Sequence, residues 1–174
     1  EGGFVDWKKK GHEKFIETLR SLIPLLEGDL LHAKALEYLI DYDVLMKNYL
    51  IVLDNAAILK NYYPKIYQQI KPKIQGILYY IICEKGFEKI GLIYTLQILN
   101  QFTEAIPVSP YVTEFILDLT QKLHRIGMLK ESIQLLEAYF QRSEVKLTTD
   151  KQHDMVLQLL DFYVKSGNQR KALE

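Results

Sequence analysis

Apolar residues recur at spacings of three and four along most of this chain. In HEKFIETLRSLIPLLEG, the residues Phe15, Ile16, Leu19, Leu22, Ile23 and Leu26 fall on one broad helical face. DLLHAKALEYLIDYDVLMKNYLIVLDNAAILKNYY continues the pattern. Asp29 opens it as an N-cap behind Gly28, and a break near Asp41–Asp43 divides it into two helices. Pro64 permits a new start, and PKIYQQIKPKIQGILYYIICEKG runs on to Lys85. Pro72 lies inside that run and either kinks it or separates a short turn from a main helix over 72–85. FEKIGLIYTLQILNQF reads as a helix ending near Phe102, followed by the loop TEAIPVSP. Ser109 then caps a helix with Pro110 at its first position, and Gly127 stops it. MLKESIQLLEAYFQRS is the next helix, EVKLTTD a loop capped by Thr149 or Asp150, and KQHDMVLQLLDFYVKS the last full helix, ending at Gly167. No segment alternates with period two, so the pattern predicts an all-α chain of about eight or nine helices.

Three stretches within it are alike: GFEKIG at 86–91, GMLKES at 127–132 and GNQRKA at 167–172. Their glycines follow one another at nearly equal steps (127 − 86 = 41 and 167 − 127 = 40). Gly86, Gly127 and Gly167 are expected to supply the left-handed residue that ends one helix of a hairpin. Gly91, Ser132 and Ala172, five positions later, are expected where the second helix crosses closely over the first. GDLLHA at 28–33 has the same form, with Ala33, but Gly28 precedes Gly86 by a longer step (86 − 28 = 58). Residues 1–63 are therefore read as irregular or capping helices and 64–174 as repeat hairpins, within a single domain over 1–174. Hairpins of this kind stack on one another, which predicts a right-handed α-solenoid of antiparallel helical hairpins with no sheet.

These residues resemble the tetratricopeptide and pentatricopeptide superfamily of helix–turn–helix repeats. KLHRIGMLKESIQLLEAYF and FYVKSGNQRKALE are similar to its helix–turn–helix core, and VSPYVTEFI resembles the start of a pentatricopeptide first helix. The resemblance spans residues 75–174. The two steps between glycines exceed the family's repeat of about 34 or 35 residues, and the tetratricopeptide Trp, Leu-Gly and Tyr signature of the first helix is absent. No base-reading position is carried over. The resemblance implies a groove that holds another chain: a peptide, a helix or a subunit, or single-stranded RNA in the pentatricopeptide manner.

Charge narrows this picture. The 174 residues hold 22 basic and 22 acidic side chains, unlike a dedicated non-specific nucleic-acid binder. Cys83 is the one cysteine, so no intrachain disulfide forms, and no Asn-x-Ser/Thr acceptor occurs. Both point to an intracellular setting. No apolar run reaches the roughly 18 residues that span a bilayer. The missing initiator Met and the interrupted last repeat lead to the expectation of a fragment of a larger protein.

Chemistry concentrates at 55–83, where Lys60, Lys65, Lys71 and Lys73 interleave with Tyr62, Tyr63, Tyr67, Tyr79 and Tyr80 and no acidic residue intervenes. This stretch admits three readings: buried rings with snorkelling lysines, a patch for an acidic protein partner anchored by tyrosine, or lysines on phosphates with tyrosines stacking on bases. Lys60, Lys65, Tyr67, Lys71 and Lys73 are the partner-binding candidates. Asp41 and Asp43 are read as capping and solvated. His12, His32, His124 and His153 are scattered, without ligand spacing, and Cys83 is expected as a buried, inert thiol. Trp7 and Lys8–Lys10 read as a lead-in or first-turn cap. No catalytic residue, cofactor, metal or small-molecule substrate is indicated. The expected function is a non-catalytic interaction scaffold or adaptor within a larger intracellular protein. The alternatives are a single-stranded RNA-binding module and a structural support for a catalytic region elsewhere.

Overall fold

A computed structural model describes the backbone of residues 2–84, 86–143, 148–168 and 171, and their side chains apart from those of 2–9, 86, 87 and 143. The fold is all-α, with no strand among the described residues. No described helix is long and apolar enough to cross a membrane. The contacts divide the chain into two compact units, Glu1–Lys71 and Pro72–Glu174.

In the first unit, α1 (Gly2–Leu22) leads through a 3-10 turn at Ile23–Leu25 to α2 (Leu30–Leu45) and α3 (Tyr49–Tyr62). α2 starts where the Asp29 carboxylate accepts from the Leu31 amide at 3.0 Å, directly after Gly28 at φ 88°. The break expected at Asp41–Asp43 falls later. α2 continues to Leu45 because Asp43 is not a turn residue; its side chain is wholly buried. Reversal comes at Lys47, held at φ 59°. The Asn48 amide donates to Asp43 O at 2.8 Å and the Lys47 amide to Val44 O at 3.1 Å. This pair of bonds, five and three residues back, closes the left-handed turn that ends many helices.

α4 (Pro64–Cys83) begins in the first unit and passes through Pro72 without interruption. Pro72 and Gln68, whose carbonyl Pro72 cannot serve, are both exposed, so water can replace the missing donor. The stretch expected as one helix over 87–102 is two: α5 (Gly86–Lys89) and α6 (Leu92–Gln101). The left-handed residue between them is Gly91, at φ 91°. Gly86, expected in that role, instead begins α5. Nor does Gly91 lie under a crossing helix, since a Cβ placed on it would meet nothing within 4 Å.

After a 3-10 turn at Thr103–Ala105 come α7 (Pro110–Arg125), α8 (Leu129–Ser143) and α9 (Thr149–Lys165). The Ser109 hydroxyl accepts from the Val112 amide at 3.2 Å, with Pro110 at the first helical position. At Gly127, φ 89°, the same turn recurs: Met128 N to Leu123 O at 3.0 Å and Gly127 N to His124 O at 2.9 Å. It recurs again at Gly167, φ 75°, through Asn168 N to Tyr163 O at 3.0 Å. Across the three turns the first step (127 − 47) is twice the second (167 − 127). The N-cap of α9 is Thr148, one residue before Thr149 and two before Asp150, the expected capping residues.

The α2–α3 and α7–α8 hairpins are one design at two places in the chain. Buried, half-buried and exposed positions follow the same order, residue for residue, over 31–47 and 111–127. Ala33, Leu36, Leu39 and Ile40 of the first correspond to Thr113, Ile116, Leu119 and Thr120 of the second, all buried. The two buried threonines satisfy their hydroxyls within their own helix, on Ser109 O and Ile116 O, which removes the penalty for burying them. In each hairpin a tyrosine reaches back to the residue capping the first helix. Tyr63 donates to Asp29 O at 3.2 Å and pairs with His32 Nδ1 at 3.1 Å. Tyr139 meets Thr113 Oγ1 at 3.1 Å and Ser109 O at 3.5 Å.

Ser132 sits where α8 crosses α7. It is fully buried, and its hydroxyl lies 3.0 Å from Thr120 O and 2.7 Å from Met128 O. A large side chain there must force the helices apart. Ala172, the corresponding residue after Gly167, lies outside the described residues. Within the second unit α6 packs on α7 and α8, and both α7 and α8 pack on α9.

In urea unfolding, Ser132→Trp is expected to lose about 1–3 kcal/mol, while Gln134→Trp, on the exposed side of α8, changes stability by less than about 0.5 kcal/mol. Lys47→Gly is expected to stabilise by about 0.5–1 kcal/mol, because glycine relieves the left-handed strain that lysine bears. Equal effects of the two tryptophans, or a destabilising Lys47→Gly, would contradict the hairpin assignment.

Candidate functional site

The lysine and tyrosine candidates fall on two helices. Lys60 is half-buried on α3, and Lys65, Tyr67, Lys71 and Lys73 lie along α4. Tyr67 is 1% exposed and belongs to the core, so it has no face to offer a base or a partner. Lys65 and Lys71 are six residues apart, about 120° around the helix axis, and so point to different sides. Lys73 belongs to the second unit and the other four to the first. Tyr62, Tyr79 and Tyr80 are exposed.

Cys83 is exposed, correcting the expectation of a buried thiol. It follows Ile81 and Ile82, which take the buried face of α4, and it shares the outer face with Tyr79 and Tyr80. A hydrogen bond between Tyr79 and Cys83, with Tyr111 of α7 close by, raises the Tyr79 phenol above its ordinary value. Asp43 is likewise not a solvated cap: it is buried and ion-paired to Arg20 at 2.6 Å. Lys10 is exposed, whereas the side chains of Trp7, Lys8 and Lys9 lie outside the described residues. Among the described residues, no group of three or more His, Cys, Asp or Glu side chains could hold a metal ion.

What the second unit does assemble is a groove of 620 Å³ between α7 and α9. Each wall carries a stripe at spacings of four, three and four: Glu114, Asp118, Gln121 and Arg125 on α7, and Asp154, Gln158, Asp161 and Lys165 on α9. The second stripe follows the first at the step that separates Gly127 from Gly167, position for position (154 − 114, 158 − 118, 161 − 121, 165 − 125). Most of its charge is paired along or across the walls. Lys151 donates to Glu114 at 2.5 Å, Lys122 to Asp118 at 2.7 Å and Lys165 to Asp161 at 2.6 Å. Gln158 ties the helices together, donating to Leu117 O at 2.9 Å and Thr120 Oγ1 at 2.7 Å while accepting from Gln121 at 2.9 Å. Where the two helices end, the His124 ring stands edge-on to Phe162, 5.4 Å between centres.

Sequence reasoning missed this stripe, although its 4-3-4 polar spacing was present in both helices. Exposed polar positions are ordinary on any amphipathic helix, and only the pairing of α7 with α9 turns two solvated faces into one groove. Corresponding positions occur on α2 and α4. Two such steps before the α7 stripe (114 − 34) stand Lys34, Tyr38, Asp41 and Leu45 of α2, all exposed. The buried ladder of α4 (Ile74, Ile77, Leu78, Ile81, Ile82) matches that of α7 (Val112, Phe115, Ile116, Leu119, Thr120) at a slightly shorter step (112 − 74), which places Tyr80 and Cys83 in the stripe.

A second hollow, 460 Å³, lies between α8 and α9. At its rim Tyr163 donates to the Glu137 carboxylate, and Lys171 reaches the same carboxylate at 2.9 Å. Burial, reinforced by Glu137, pushes the Tyr163 phenol well above its ordinary range.

Gln158→Ala is expected to lower stability by about 0.5–1.5 kcal/mol in thermal or urea unfolding, because it removes the hydrogen bonds by which the Gln158 amide ties α9 to Leu117 and Thr120 of α7. A change near zero would mean that apolar packing alone sets the spacing of the groove walls. Comparison with protein-family models, curated proteins and solved structures returned no match for this chain.

Proposed function

We propose that this chain is a non-catalytic interaction module that holds a segment of another protein in the groove between α7 and α9. The observation that carries this reading is the recurrence of the stripe. Two helices one step apart present the same four positions to one 620 Å³ groove, as stacked hairpins of an α-solenoid do when they build a binding surface by repetition. The walls offer both signs of charge and the amides of Gln121 and Gln158, groups suited to a peptide's backbone and side chains. Their pairing within the walls keeps them in fixed positions before a partner arrives, which lowers the ordering cost of binding.

The reading as a single-stranded RNA module has less to stand on. Tyr67 cannot stack, and the groove walls mix acids with bases rather than presenting the cationic track that follows a phosphate backbone.

Selection of random-sequence peptides on the immobilised chain tests the proposal. Selected peptides are expected to lose about tenfold or more in affinity for Gln121→Trp, which fills the groove with a bulky ring, and to keep their affinity for Gln134→Trp. Peptides that bind both variants equally would contradict the groove as the site. Single-stranded RNA is expected to show no binding that weakens steeply with salt; such binding would favour the nucleic-acid reading instead.

A further inference from the structure

The first hairpin carries a polar insertion that its counterpart lacks. In turns of this type an apolar contact commonly joins the residue near the end of the helix, whose carbonyl accepts the longer bond, to the second residue past the helix. Leu123 and Met128 hold those positions in α7–α8. Asp43 and Asn48 hold them in α2–α3, although the surrounding order of buried and exposed residues is the same. The Asp43 side chain is 0% exposed, so its charge must be met inside the protein. Asn48 Nδ2 donates to Oδ1 at 3.0 Å, and one Arg20 nitrogen donates to Oδ1 and Oδ2 at 2.6 and 2.8 Å.

Arg20 belongs to α1, and the other described side chains of that helix are thinly attached. Among its described side chains Ile16 alone is buried. Phe15 stays half exposed with its ring edge-on to Tyr38 at 5.7 Å, and His12 lies 5.4 Å from the Tyr42 ring. By contrast α2 and α3 bury Leu36, Leu39, Ile40, Val52, Leu53 and Leu59. We propose that α1 is a strap latched to the first hairpin by Arg20 on Asp43, and that it can be released without unfolding α2–α3. Release uncovers the half-buried Tyr42 and frees the Tyr38 ring from Phe15 on α2, beside the stripe positions Lys34, Asp41 and Leu45.

The two ends of the latch are not equivalent. Arg20 is 33% exposed and can turn to water once unpaired. Asp43 has no such exit, and a buried carboxylate left with one amide donor is strongly unfavourable. Removing the aspartate therefore frees the strap, whereas removing the arginine also damages the hairpin.

Amide hydrogen exchange on the full chain distinguishes these effects. Asp43→Leu installs the residue found at the counterpart position. Its α1 amides are expected to exchange at least about tenfold faster, from the loss of a charge-assisted hydrogen bond, with α2 and α3 unchanged or slower. Arg20→Met is expected to speed exchange in both α1 and the α2–α3 turn. Unchanged α1 exchange in Asp43→Leu would show that Ile16 and Phe15 hold the helix and would overturn the latch. Loss of protection across α2–α3 in Asp43→Leu, or a hairpin indifferent to Arg20→Met, would overturn it as well.

Discussion

Two backbone hydrogen bonds at Lys47, and the same two at Gly127, turn a helix back on itself within two residues, and the hairpins are built outward from them. One bond runs from the following amide to a carbonyl five residues earlier, the other from the left-handed residue to a carbonyl three residues earlier. Together they satisfy carbonyls that would otherwise face water or the core unpaired. So tight a reversal brings the second helix close over the first, which is why Ser132 is buried at the crossing with its hydroxyl near Thr120 O. The long tyrosines then reach from the end of the second helix to the cap of the first, at Asp29 and Ser109. Start, crossing and end of each hairpin are thus coupled.

The turn tolerates different side chains around a constant backbone. Its left-handed residue is Lys47 in one hairpin and Gly127 in the other. Its flanking pair is Asp43 with Asn48 in one and Leu123 with Met128 in the other. This latitude lets one scaffold acquire separate attachments: a polar socket for Arg20 at the first hairpin, and an open groove beside α7 where α9 packs one step further along the chain.

Features that depend on a few adjacent residues were legible in the sequence. Asp29 after Gly28, Ser109 before Pro110, and the turns at Gly127 and Gly167 each carry their own chemistry and appear where that chemistry places them. The turn at Lys47 was hidden because no glycine marks it, so the break was sought at the acidic pair Asp41–Asp43 instead. Gly86 drew attention away from Gly91 because the nearly equal steps to Gly127 and Gly167 favoured it, while the α4 ladder precedes that of α7 by a shorter step. Tyr67 and Cys83 exchanged their expected roles through helical phase: Tyr67 falls on the buried face of α4 and Cys83 on the open one. The groove is a property of two helices together, which a reading taken one helix at a time does not reach.

The hairpin account is tested most directly by scalar couplings measured by NMR across hydrogen bonds, since these identify donor and acceptor atom by atom. The account predicts couplings from the Asn48 amide to the Asp43 carbonyl and from the Met128 amide to the Leu123 carbonyl, each five residues back. Couplings to Val44 and His124, four residues back as in a continuing helix, or none at all from these two amides, would contradict it.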